Sequence, residues 1–346
     1  MAETSITEKE MAEAIDIFLN FDPTPAYDIA ERIRGKPIYI VGMGSSLLMP
    51  GGFAKYLAAD LIPEQRIEVV FPSCLDAHRI PKDAYVFLNS NSGNTPEVID
   101  LGELLRINDI PFFGITAQEG SHLAEISNEN SPYPSTNKNS YILRGGFEQA
   151  TPATKSVVEQ TLFFHALICK LSYREFTLGK NGRETAIVAE KMIHNLSMDI
   201  DEEDIVLRLM QAETIYWIDH NTGVAEELAL KTQEITGIRG VYYPGTQILH
   251  GPAEGFGINN RIIVVGAKNY LLSDINELYE QAGEANAGAY ALESSADMGI
   301  NIEAVTTPGS EVYAQLTAGW NLLRKMVNKN PYRDIDKPNI IGKSRT

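Results

Sequence analysis

The stretch FLNSNSGNTPEVI, Phe87 to Ile99, sets six small polar residues between an apolar run and the start of a helical pattern. A connecting turn needs about one glycine and one capping residue. The surplus of serine, asparagine and threonine predicts a turn that binds something. The alternative reading of Ser90-Asn91-Ser92-Gly93-Asn94-Thr95 is a well-capped helix, with Pro96-Glu97 suited to its first turn.

Working outward, AYVFLNS before the turn reads as a strand, and so do PIYIVG from Pro37 and RIEVVFP from Arg66, with the helical FAKYLAADLI between them. DIPFFGITA and NSYILRGG supply two more strands, so residues from about Pro37 to about Lys170 predict a mainly parallel sheet with helices on both faces. The rhythm then repeats. An offset of 177 sets Ile38 on Ile215, Val86 on Ile263 and Phe112 on Ala289, three strand candidates in one register. A tandem duplication of one α/β domain is expected, joined by the acidic stretch from about Glu184 to Asp204. Its DIDEED run lacks the glycine and ligand spacing of a calcium loop and reads as a solvated helix start.

The chain has 346 residues, 44% of them hydrophobic, enough for two cores. Its formal net charge of −17 argues against nucleic acid and anionic membrane surfaces as partners. No apolar stretch reaches the roughly 20 residues of a membrane span and no signal-peptide core follows Met1, so a cytoplasmic location is expected. Cys74 and Cys169 lack metal-ligand spacing and read as bystanders. An anion on such a chain would be held by hydroxyls and backbone N–H groups. In open parallel sheets these converge at the carboxyl ends of strands.

VGMGSS, Val41 to Ser46, is a second glycine-serine turn after a strand, but Leu47 stands where a dinucleotide fingerprint needs its third glycine. The late Gly342-Lys343-Ser344 cannot be a phosphate-binding loop, because the earlier glycine would fall at Lys337 and only two residues follow.

SNSGNTPEVI resembles the SxSGxTxE signature of SIS (sugar isomerase) domains. FEQATPATK from Phe147 is similar to the E-x-x-x-A-S-T-K loop of the double-SIS phosphosugar isomerases, the family that includes the isomerase half of glucosamine-6-phosphate synthase and stand-alone relatives. EELALKTQEITG, TQILHGPAE and DIDKPNIIGKSRT resemble its catalytic helix, its histidine turn and its lysine-bearing tail, so the likeness covers most of the chain. The resemblance implies two tandem SIS domains at 1–180 and 185–330, each a mainly parallel five-stranded sheet flanked by helices, with a tail at 331–346 over the active site. It implies a sugar phosphate as the small-molecule partner, its phosphate held by Ser90, Asn91, Ser92 and Thr95 with Gly44, Ser45 and Ser46 opposite, and its sugar met by Thr151, Ala153 and Thr154. Around Gly266-Ala267-Lys268 the corresponding hydroxyls are lost, so one phosphate site per chain is expected. The family's serine is Ala153 here, and the glycine-rich turn opening the second domain has become Asp219-His220-Asn221.

Moving a carbonyl between carbon-1 and carbon-2 of a sugar requires ring opening and proton transfer through an enediol or enolamine, hence a base and a second acid-base group, with neither metal nor cofactor. Lys231 and Glu234, three apart, share a helix face, and His250 precedes Gly251-Pro252. Alone, Glu234 reads as a solvated glutamate, His250 as a turn histidine and Lys343 as terminal surface. The resemblance makes Glu234 the carbon-to-carbon proton carrier, His250 the ring-opening group, able to reach a neighbouring subunit in a homodimer, and Lys343 the Schiff-base partner of an open-chain ketose phosphate. No cysteine follows Met1 as it does in a glutaminase domain, so glutamine is not the expected nitrogen source. An aminosugar-phosphate isomerase/deaminase is the leading expectation. A fructosamine-type deglycase and a noncatalytic sugar-phosphate sensor are the alternatives.

Overall fold

The computed structural model describes residues 4–74, 79–130, 139–194, 197–198, 202–266, 272–293, 299–302, 307 and 309–336. They form two units, one of residues 16–180 and one that joins the chain up to Ile15 to the chain from Asn181 onward.

The first unit holds α2 (Thr24–Ile33), β1 (Ile38–Gly42), α3 (Leu48–Leu61), β2 (Ile67–Val70), β3 (Tyr85–Asn89), α4 (Pro96–Ile107), β4 (Phe112–Thr116), α5 (His122–Glu129), β5 (Ser140–Ile142) and α6 (Lys155–Leu171). Its five strands run parallel in the order β2-β1-β3-β4-β5. Every residue of β1, β3 and β4 is buried. That is why they read as continuous apolar runs: helices cover both faces of the sheet. Successive residues of β3 serve opposite layers. The Phe87 ring meets Phe163 and Phe164 of α6 at 6.2 and 5.4 Å. Leu88 packs on the other face, where a Cβ added to Gly102 of α4 would come within 3.2 Å of it. Truncating Phe87 to alanine would cost about 3–5 kcal/mol.

The second unit contains α7 (Leu178–His194), β6 (Ser197–Met198), α8 (Glu202–Met210), β7 (Thr214–Asp219), α9 (Val224–Lys231), β8 (Arg239–Pro244), β9 (Asn260–Val265), α10 (Leu272–Glu284), β10 (Gly288–Glu293), β11 (Gly299–Asn301) and α11 (Glu311–Asn328). Five parallel strands, β8-β7-β9-β10-β11, repeat the order of the first sheet. The residue pairs matched by the 177 offset fall in β1 and β7, β3 and β9, and β4 and β10. The five-strand expectation misses one edge, where two-residue β6 pairs antiparallel with β11. Helix α11 is buried along most of its length, and a Cβ at Gly319 would stand 2.4 Å from Leu228 of α9, so the two helices meet through that glycine.

A domain boundary at residue 1 for the first sheet also needs correction. Helix α1 (Ile6–Asn20) begins in the second unit. Asp336 accepts the backbone N–H groups of Ile6 and Thr7 at 2.7 and 2.9 Å and the Thr7 hydroxyl at 2.7 Å. Glu8 pairs with Arg324 at 3.3 Å. A carboxylate from a distant segment thus satisfies the orphan donors at the start of α1.

Candidate active site

In the first sheet the chain leaves β1 for β2 on one side and β3 on the other, so the topological switch point lies between β1 and β3, where ligands collect in open α/β sheets. Both serine-bearing turns follow these two strands, whose last residues, Gly42 and Asn89, pair with each other. Gly42 is needed there: a Cβ would come within 2.9 Å of the Ser46 carbonyl and 3.1 Å of the Asn89 carbonyl. The Gly44-Ser45-Ser46 turn opens on Gly44 at φ 52°, and Ser45 is buried.

In the quoted turn the Ser90 hydroxyl lies 2.7 Å from that of Thr95 and 3.4 Å from that of Ser92. Gly93 N–H donates to Ser90 Oγ at 3.0 Å and Asn94 N–H to Ser92 Oγ at 3.2 Å. Gly93, at φ 66°, leaves no room for a Cβ, which would fall 2.1 Å from Ser121 Oγ. Thr95 occupies the N-cap of α4, yet its side chain makes no capping bond. Its hydroxyl is spent on Ser90, so helix capping does not account for the composition of this turn. Among the described residues, the buried amide of Asn89, at the foot of the turn, and Asn91 Nδ2 have no hydrogen-bond partner.

Asn91 ties the turn to the FEQATPATK loop, its Oδ1 accepting Glu148 N–H at 3.3 Å. The fully buried Glu148 carboxylate accepts the Thr154 hydroxyl at 2.9 Å and also binds Thr154 N–H and the Ser156 hydroxyl. The expected sugar-facing hydroxyl of Thr154 is therefore engaged inside the loop, while Thr151 and Ala153 are partly exposed. Sequence reading passed over Glu148 and Asn89. A carboxylate followed by several hydroxyl residues was the available signal for Glu148.

In the second unit, Glu227, Lys231 and Glu234 stand at i, i+4 and i+7, one above another on a helical face. Lys231 Nζ lies 3.0 Å from Glu227 Oε1 and 2.5 Å from Glu234 Oε2. Lys231 and Glu227 are wholly buried, and Glu234 is 26% exposed. Burial works against the ammonium, but the two carboxylates outweigh it and hold Lys231 above the ordinary lysine value. Lys231 stays charged at neutral pH and is unsuited to imine formation. Glu227 was hidden in the sequence because EELALK reads as an exposed charge run.

Glu234 sits in a single π-helical turn, Thr232–Thr236, that continues α9. The local sequence supports this wider turn, a form that concentrates at functional sites. Thr232 and Thr236 return their hydroxyls to the carbonyls of Leu228 and Thr232 at 2.8 and 2.6 Å, and Trp217 Nε1 donates to Thr232 Oγ1 at 2.9 Å. Gly237, at φ 77°, ends the turn. His250 follows the short Gly245–Leu249 turn and is exposed.

At the end of β7, Asp219 stands where the matching turn of the first unit has glycine and serine. It accepts the N–H groups of Asn221 and Ala225 at 2.9 and 3.0 Å, the Thr222 hydroxyl at 2.6 Å and the Tyr242 hydroxyl at 3.1 Å. The start of α9 is thus occupied by a carboxylate of the chain itself. Lys343, the tail beyond Asp336, and residues 267–268 lie outside the described residues. Among the described residues no group of three or more His, Cys, Asp or Glu is placed to hold a metal ion, and no helix is long and apolar enough to cross a membrane.

No family model matches the chain. It is 28% identical over 242 residues to the isomerising glutamine–fructose-6-phosphate aminotransferase of Cyanidium caldarium, a match covering 65% of this chain and 39% of that protein. The chain thus spans about two fifths of the length of the curated relatives it matches. Among solved structures it is similar to the C-terminal domain of glucosamine-fructose-6-phosphate aminotransferase from Francisella tularensis, with a TM-score of 0.76 and 19% identity over 97% of this chain and 99% of that one. The glucosamine-6-phosphate deaminase of Thermotoga maritima is similar at a TM-score of 0.71 and 20% identity over 98% and 99% of the two chains. The fold is similar to that of these proteins: two sheets, each with five parallel strands, flanked by helices.

Proposed function

We propose that the protein is a double-SIS aminosugar-phosphate isomerase/deaminase that converts a hexosamine 6-phosphate of the glucosamine type to the ketose phosphate and ammonia. The observation that carries this reading is the buried Lys231 ammonium, held between Glu227 and the partly exposed Glu234. A carboxylate that must take a proton from carbon-2 and return it to carbon-1 needs a fixed position and a nearby charge that does not itself titrate. Lys231 meets both needs.

The phosphate takes hydrogen bonds from Ser90, Ser92 and Thr95, whose hydroxyls otherwise satisfy one another, with Asn89 and Asn91 supplying amide donors that have no partner among the described residues. Gly44, Ser45 and Ser46 line the neighbouring turn. His250 moves the proton that opens the ring. Glu234 carries the carbon-2 proton to carbon-1, turning the aminoaldehyde into a carbon-2 imine and a carbon-1 hydroxymethyl group. Water adds to the imine, and ammonia leaves with the remaining proton. Lys343 is the proposed covalent partner for the ketose in the reverse direction. The built-in anion at Asp219 supports one phosphate site per chain.

The enzyme acts in the cytoplasm as a homodimer. Mixing inactive Glu234→Gln and His250→Ala chains should restore partial activity if a site draws on two chains, and mixtures that stay dead would place each site within one chain. The function is tested by measuring ammonia release from a panel of hexosamine 6-phosphates and amino-acid adducts of sugar phosphates. Ammonia and ketose phosphate from a hexosamine phosphate are expected. Release of an amino acid alone would replace the proposal with a deglycase, and binding without turnover would replace it with a sensor.

A further inference from the structure

The turn that carries Glu234 leaves two carbonyls without their helical partners. Gly237 N–H goes to the Gln233 carbonyl at 3.1 Å and Ile238 N–H to the Thr236 hydroxyl at 3.1 Å, so the chain leaves the helix before any amide can return to Glu234 or Ile235. Both carbonyls are met from almost a hundred residues away. Arg333 Nη2 donates to the Glu234 carbonyl at 2.8 Å and Arg333 Nε to the Ile235 carbonyl at 2.9 Å. This is a two-pronged grip that a planar guanidinium makes and a single ammonium cannot.

The arginine is itself held. Arg333 N–H donates to the Asn330 carbonyl at 3.2 Å, and Tyr332 N–H to Asn330 Oδ1 at 3.0 Å, which folds the segment after α11 into a turn. Three residues further on, Asp336 is fixed on the first N–H groups of α1. An anchor therefore lies on either side of the guanidinium. Among the described residues its side chain has no carboxylate partner, and burial lowers its pKa below the usual arginine value. Among the described residues, both hydrogen bonds of its guanidinium go to the Glu234 turn.

We propose that Arg333 is a positioning residue for Glu234, holding the π-helical turn so that the Glu234 carboxylate stays on Lys231 Nζ. The catalytic consequence rests on the proposed role of Glu234; the grip on the turn does not. A base displaced by about 1 Å costs on the order of 10²-fold in rate while leaving distant binding contacts intact. Arg333→Ala should lower kcat by about 10–100-fold with KM for the sugar phosphate changed less than about threefold, and Arg333→Lys, able to reach one carbonyl, should lie between. In a Glu234→Gln background, adding Arg333→Ala should lower the rate no further.

Hydrogen exchange of the full-length, substrate-free protein supplies a readout that needs no activity. Arg333→Ala should speed exchange at residues 234–239 by more than about tenfold, with Ser90 to Ile99 and α11 unchanged. An unchanged kcat together with unchanged exchange at 234–239 would overturn the proposal. So would a rise in exchange spread evenly through the second unit, since that marks general destabilisation, or a rate loss that persists in the Glu234→Gln background. If wild-type protein turns over no sugar phosphate while exchange still rises only at 234–239, the functional reading fails and the grip on the turn stands.

Discussion

The turns that follow β1 and β7 occupy matching places in their sheets and are built for opposite ends. After β1 come Gly44, Ser45 and Ser46, and the neighbouring turn after β3 adds three hydroxyls that hydrogen-bond mainly to one another and to the turn backbone. After β7 comes Asp219, which collects two N–H groups and two hydroxyls at the start of α9. The first arrangement can give its donors to an anion from outside, whereas the second has the anion built in. The helix after β7 carries the buried Lys231 between Glu227 and Glu234.

The largest effect expected from this division is on turnover. Glu234→Gln should lower kcat by about 10²–10⁴-fold, the usual weight of a positioned base, while calorimetric affinity for the sugar phosphate is retained. Equal losses in both would mean that proton transfer and phosphate binding are not divided between the two regions. The Ser90→Ala/Ser92→Ala pair should remove about 2–4 kcal/mol of sugar-phosphate binding, from about 1–3 for each charge-assisted bond. Unchanged affinity would leave the first turn a structural element only.

Asp219→Asn should spare phosphate binding and destabilise the fold by about 1–3 kcal/mol in urea, because an amide NH₂ would replace one acceptor among four donors. The smallest effect belongs to Glu226. Burial first, then Asp219 and Glu227, pushes its pKa up from 4.5 to about 6. Because the folded value lies above the unfolded one, the protonated group favours the fold below about pH 4.5, and that contribution is lost as pH rises through about 6. Glu226→Gln should therefore stabilise the protein above pH 6 by on the order of 1 kcal/mol, after allowance for partial solvent screening, and change little at pH 4. Urea titrations at the two pH values check the sign.

Much of this layout is readable from residue order. β1, β3 and β4 are buried on both faces and so appear as unbroken apolar runs, and their echo at a constant offset marks the second sheet. The proposed phosphate turn stands out by its excess of hydroxyls, and Lys231 with Glu234 by helical spacing. What stayed hidden depends on burial and on partners far apart in sequence. Glu227 and Glu148 look like surface charges until the helices around them are in place. The π-helical turn follows from where Thr232 and Thr236 send their hydroxyls, and its two free carbonyls are met by Arg333, which no local pattern connects to Glu234. Two-residue β6 is too short to carry a periodicity, and the docking of α1 rests on Asp336, more than three hundred residues away.

The proposed function requires two things of the chain: that the Ser90 turn recognises a phosphate and that Glu234 transfers a proton between carbon-1 and carbon-2 of the sugar. Solvent deuterium incorporation into fructose 6-phosphate, followed by NMR in heavy water, tests it most directly. The wild-type protein should place deuterium at carbon-1 of fructose 6-phosphate but not of unphosphorylated fructose, and both Glu234→Gln and Ser90→Ala/Ser92→Ala should abolish the signal. Incorporation that persists without Glu234, or that ignores the phosphate, would contradict the account.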